Sequence, residues 1–229
     1  MLENKYQGRT RNFWQLLNDQ SVEIPIIQRD YAQGREDKQE IRDSFLTALY
    51  ESLSESSPIK LDFVYGSNEN GAFQPLDGQQ RLTTLFLLHW YAFKKEQPID
   101  NNKAYLLEKF SYETRISSRE FCKAIVNQDV EFDDQAAQIS SLITDSSWFF
   151  LSWKKDPTID AMLRTIDDIH EKFYCIPDLW NRLVNGDGLI SFYHVVLEDI
   201  GLTDDIKMNA RGGNYFPLLK ILRPVFKNI

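Results

Sequence analysis

Three short stretches hold the side chains with chemistry to offer: Gln28-Arg29, Asp77-Gly78-Gln79-Gln80-Arg81, and Asn209 with Arg211. Arginine neutralises charge spread over several oxygens, amides hold single oxygens, and a carboxylate can position Mg²⁺ or a water. Two or three Arg with Gln/Asn amides and one Asp, if brought together, would suit a nucleoside triphosphate. The chain has no GxxxxGK P-loop, so a nucleotide site here is of another type. No Cys/His cluster has zinc spacing, and we assign no metal site to protein ligands alone. No HNH-like constellation occurs, so nuclease chemistry is not expected from this chain. His89, His170 and His194 are isolated in sequence, and His89 sits inside an apolar run as a core residue.

The stretch that must position the central motif is Phe73–Lys95, FQPLDGQQRLTTLFLLHWYAFKK. It reads as a short strand, a tight turn at Gly78 and a long helix. Asp77 is expected to cap that helix, with Gln80 at the third helical position as in a capping box. From Leu82 onward the helix is apolar nearly all round, so it is a buried element. Its N-terminus, with free N–H groups and Arg81 beside them, can receive an anion, phosphate above all. The residues alone leave a second reading open: a capped core helix whose Arg81 pairs with a carboxylate.

Around this stretch the pattern predicts further elements. Helices are expected at Thr10–Asp19 and Glu36–Leu53, and a strand at Val22–Ile27, at an edge or strand start because Pro25 lacks a ladder donor. Leu61–Tyr65 and Ala72–Leu76 form a hairpin through Gly66–Gly71. From Ala104 to Val184 the signals are helical: Ala104–Phe110, a helix opened by Ser117 and Glu120 at capping-box spacing, Asp133–Thr144, Ser146–Lys154, a strongly amphipathic helix behind Asp156-Pro157, and Pro177–Val184. Trp148, Phe149, Phe150 and Trp153 are assigned to the core, because no basic residues interleave them as base stacking requires. Leu189–Leu197 returns to strand.

DGQQRLTTL, preceded by IPIIQRDYAQG (24–34) and LDFVYGS (61–67) and followed by DDIKMNARG (204–212), resembles the GmrSD-type restriction-endonuclease N-terminal family. The four pieces occur in the family's order over roughly Val22–Gly212. The resemblance implies an α+β fold: a small ParB/sulfiredoxin-like mixed sheet with flanking helices plus a mainly helical insertion. It also implies that Gln28 and Arg29 face the same pocket as DGQQR, in a phage-defence system acting on modified DNA, often with a nuclease region C-terminal to this one. Carried over, the nucleotide-binding residues are Gln28, Arg29, Tyr31, Gly78, Gln79, Gln80, Arg81, Asn209 and Arg211, with Asp77 and Arg81 in catalytic roles and Mg²⁺ accompanying the triphosphate. Two departures stand out: Tyr31-Ala32-Gln33-Gly34 lacks the family's Tyr-x-Trp, and residues 213–229 lack its Leu-x-x-Phe-Glu cadence, as a truncated, frame-changed or fragment chain would.

The implied organisation is a core of residues 1–97 with 188–212, a helical annex at 98–187 and a divergent tail at 213–229. A formal charge of −8 argues against a surface that holds DNA by phosphate neutralisation, so DNA contact is expected through a partner or a nuclease region elsewhere. A DNA-sensing module or a non-catalytic scaffold is the alternative. Cys122 and Cys175 match no metal spacing and read as buried thiols of a reducing cytosol. The N-terminal stretch has no apolar signal core and no run reaches membrane length, so a cytoplasmic location and no membrane partner are the expectations; a homodimer is allowed, though no residue pattern argues for it.

Overall fold

The computed structural model describes residues 9–25, 30–98, 104–113, 115–130, 132, 138–185 and 188–200. It is an α+β fold around one six-stranded mixed sheet, in the order β1-β6-β3-β4-β2-β5. The strands are β1 (Arg9–Arg11), β2 (Ser21–Ile24), β3 (Ile59–Glu69), β4 (Ala72–Asp77), β5 (Phe110–Tyr112) and β6 (Ile190–Val196). The helices are α1 (Phe13–Asp19), α2 (Gln39–Glu55), α3 (Gln79–Glu96), α4 (Ala104–Leu107), α5 (Ile116–Asn127), α6 (Ile139–Thr144), α7 (Pro157–Phe173) and α8 (Leu179–Val184).

The expected hairpin forms, and its turn is Asn70-Gly71, both with positive φ (51° and 82°). That is the backbone whose twist matches two paired strands, and Asn-Gly adopts it at low cost. The C-terminal strand also forms: β6 runs parallel to β3 and antiparallel to β1. Helix α3 is the hub. Every side chain from Leu82 to Phe93 is buried, and α1, α4, α7 and α8 pack on it. Its Phe86 stacks on Phe110 of β5 at 4.6 Å between ring centroids, tying helix to sheet.

Several expectations are corrected. The first helix begins at Phe13 behind an Asn12–Gln15 capping box, because Thr10 belongs to β1. Strand β2 is interior, parallel to β4 on one side and β5 on the other; Pro25 is tolerated because the strand ends at Ile24. The expected helix Ala104–Phe110 stops at Leu107, and β5 follows it within the span read as helical. Helix α5 takes Arg115 as its N-cap, not Ser117. The hydroxyls of Ser117 and Ser118 donate instead to the Asp156 carboxylate, which outcompetes the local cap. Residues 146–154 give only a 3₁₀ turn at Leu151–Lys155; Phe149 and Trp153 are core, whereas Phe150 is exposed. Of the two thiols read as buried, only Cys122 is buried.

Candidate functional site

The β4–α3 turn is built by backbone more than by side chains. Asp77 is still in the ladder opposite Tyr65, so its extended conformation is fixed by strand pairing. The reversal falls one residue later, at Gly78, with φ +91°. A Cβ there would lie 2.7 Å from Val64 Cγ2, so both the conformation and the packing exclude a side chain. Gly78 is the N-cap, its carbonyl accepts from Leu82 N–H at 2.9 Å, and as a glycine it has no side chain with which to cap the first turn. The expected Asp77 cap is therefore absent: Asp77 sits one residue too early. Gln80 follows Gln79 as the second helical residue, and its amide is directed at a neighbouring loop.

Arg81 bridges strands and helix. Its Nη2 donates to the Phe63 carbonyl at 2.5 Å. The guanidinium lies 3.5 Å from an Asp77 carboxylate oxygen and 3.6 Å from one of Asp62, while its side chain is 22% exposed. The buried Nε has no hydrogen-bond partner among the described residues. Asp62 is 88% exposed and Asp77 54%, so both carboxylates keep most of their oxygen surface open to solvent.

The loop that follows Gln28-Arg29 in sequence docks on the same first turn. Gln80 Nε2 donates to the Asp30 carbonyl at 3.0 Å, and Gln33 N–H donates to Gln80 Oε1 at 2.9 Å. Thr84 donates to the Gln80 carbonyl and bonds the Tyr31 hydroxyl at 2.7 Å. In the same way Thr83 donates to the Gln79 carbonyl and bonds Tyr112 of β5. The paired threonines thus turn the two glutamine carbonyls into anchor points for a loop and a strand. Tyr31 is fully buried, and burial pushes its phenol up to about 12, so it stays protonated as a donor. Gly34 completes the docking, since a Cβ there would meet the Ala161 carbonyl of α7 at 2.3 Å.

A family model for the GmrSD restriction endonuclease N-terminal domain matches residues 13–212. The chain belongs to this family. No curated protein and no solved structure matches it. As a GmrSD N-terminal domain it is a component of a restriction system.

In this GmrSD domain the structure gathers Asp77, Gly78, Gln79, Gln80 and Arg81 at one turn and brings Tyr31 against it. Tyr31 and both ends of the Gln80 amide are engaged within the protein, which makes them builders of the turn. Gln28, Arg29, Asn209 and Arg211 lie outside the described residues. Asp62 and Arg42 were not singled out by sequence; Asp62 carried one signal, a lone charge inside the apolar strand LDFVYG. The three histidines are core residues: His89 Nδ1–H donates to the Leu85 carbonyl, and burial drives its ring down to about 4. Among the described residues no cluster of three His, Cys, Asp or Glu could hold a metal, and no helix is long and apolar enough to cross a membrane.

Proposed function

We propose that this GmrSD-type domain binds a nucleoside triphosphate at the β4–α3 turn, with Mg²⁺ on the phosphates. Its place is a phage-defence system directed at modified DNA, whose nuclease region lies elsewhere. The observation that carries the reading is the start of α3. A long buried helix opens on a glycine, which has no side chain to cap it, and Arg81 stands in its first turn. Backbone N–H groups and the helix dipole both favour an anion there.

The local charge decides the form of the ligand. Arg81 with Asp62 and Asp77 sums to −1, so a bare triphosphate would meet net repulsion. Mg²⁺ is held through one or two carboxylates plus substrate phosphates, and the two open carboxylates beside Arg81 fit that donor set. Bound there, the cation supplies neutralisation of phosphate charge. Arg81 contributes charge-assisted donors to a phosphate oxygen, Gln79 an amide at the helix start, and Asp77 a carboxylate able to orient a water if hydrolysis follows. Gln28, Arg29, Asn209 and Arg211 complete the ligand set in this reading.

Calorimetric titration of ATP, GTP, CTP and UTP with Mg²⁺ into wild type and Arg81→Ala tests it. The wild type is expected to bind at least one. Arg81→Ala, verified as folded by circular dichroism, is expected to bind ten-fold or more weakly, roughly 1.4 kcal/mol per decade. A wild type that binds none, or a folded variant that binds equally well, overturns the site. Steady phosphate release from the bound nucleotide separates hydrolysis from binding alone.

A further inference from the structure

The guanidinium of Arg42, on α2, is the most deeply buried charge in the neighbourhood of the turn, at 3% residue exposure. It holds three acceptors at once. Nε donates to the Asp168 carboxylate of α7, and Nη1 donates to the backbone carbonyls of Gln33 at 3.2 Å and Arg35 at 2.9 Å. Burying an ion pair costs desolvation, and an apolar pair of similar size often gives equal or greater stability. What an apolar pair cannot do is fix two loop carbonyls in direction; the rigid donor fork of arginine can.

Gln33 is the common link. Arg42 grips its carbonyl from the α2–α7 side, and Gln80 grips its N–H from the α3 side. The Gln80 amide, held also at Asp30, therefore takes its orientation from a loop whose far side is fastened by Arg42. Gln79 and Arg81 flank Gln80 in the turn proposed to receive the phosphates.

We infer that Arg42, with Asp168, is a positioning residue for the β4–α3 anion site: it touches no ligand, and it sets the site by locking residues 30–35 against the first turn of α3. The inference rests on the nucleotide reading for its ligand but not for its clamp.

The test is a double variant, Arg42→Met with Asp168→Leu, which removes the clamp while keeping the buried volume. Melting temperature, hydrogen exchange of residues 30–35 and Mg-nucleotide affinity are measured together on the full chain. The melting temperature is expected to stay within a few degrees of wild type. Exchange at the Gln33 and Arg35 amides should accelerate ten-fold or more, and affinity should fall ten-fold or more. A merely stabilising role predicts preserved affinity whenever the melting temperature is preserved. Faster exchange with unchanged affinity overturns the positioning role, and so does weaker binding with unchanged exchange. If the double variant does not fold, Asp168→Asn gives the same ordering at smaller amplitude, because it loosens only the grip from α7. A wild type that binds no nucleotide overturns the function proposed above, and the exchange comparison alone then decides the clamp.

Discussion

Helices α3 and α7 are two long helices packed against each other, and they begin in opposite ways. Helix α7 starts on a side chain. The Asp156 carboxylate accepts from the N–H groups of Thr158 (2.8 Å) and Ile159 (3.4 Å), Pro157 needs no partner, and two serine hydroxyls add to the same carboxylate. Helix α3 starts on the backbone: a glycine at positive φ wedged against Val64, with no capping side chain of its own. A helix that only needs to exist is capped as α7 is. The start of α3 lies beside Arg81 and two solvent-exposed carboxylates, and in the function proposed above its donors serve a ligand.

The largest way to break this contrast is Gly78→Ala. A non-glycine residue at that φ costs about 1–3 kcal/mol, and the new Cβ meets Val64 at 2.7 Å. A loss of roughly 2–4 kcal/mol by urea denaturation is expected, with nucleotide affinity falling as the turn distorts. A near-neutral result would mean that the turn relaxes freely and that backbone geometry does not define α3's start.

The contrast was half legible in the sequence, for a physical reason. Asp156-Pro157 is a local signal: cap, first-turn proline and apolar stripe lie within a few residues, and the structure follows them. Asp77 carried a capping signal too and failed, because the point where α3 starts depends on where the β3–β4 ladder ends, at the pairing of Asp77 with Tyr65, twelve residues away. The hairpin was readable because its turn chemistry is local, but its turn was read too long: Gly66–Glu69 continue β3, and only Asn70-Gly71 turn. Strand β5 was not: three residues, paired in parallel with a distant strand, leave no periodicity to detect. Tyr31 and Gln80 were expected at the ligand, and only tertiary packing shows their polar groups engaged inside the protein. Arg42 lies in the span 36–53 expected as helix, and only its pairing with Asp168 of α7 shows that it is buried.

Asp156→Ala sharpens the comparison from the capped side. Removing the carboxylate leaves two α7 N–H groups and the hydroxyls of Ser117 and Ser118 without their acceptor. A loss of about 2 kcal/mol is expected, at the upper end for a helix cap. Mg-nucleotide affinity should not change at temperatures where the variant is fully folded. Equal losses of stability and affinity would show that α7's start is coupled to the site and is not a purely structural cap.

The smallest expected effect on stability is the most informative about the open side. Asp77→Ala removes a carboxylate that is 54% exposed, caps nothing and stands 3.5 Å from Arg81, beyond ordinary hydrogen-bond length. A half-exposed pair of this kind contributes about 0–1 kcal/mol before screening, so the denaturant midpoint should move by no more than about 0.5 kcal/mol equivalent. If Asp77 serves the cation, the change must show elsewhere: Mg²⁺ should no longer promote nucleotide binding as strongly. Binding without Mg²⁺ should strengthen, because one of the two negative charges beside Arg81 is gone. Asp62→Ala should do the same from the β3 side, since its carboxylate is more open still. The opposite sign, with Mg²⁺-free binding weakened in both variants, would mean that the carboxylates hold Arg81 in place for the phosphate and that no cation is shared between protein and ligand.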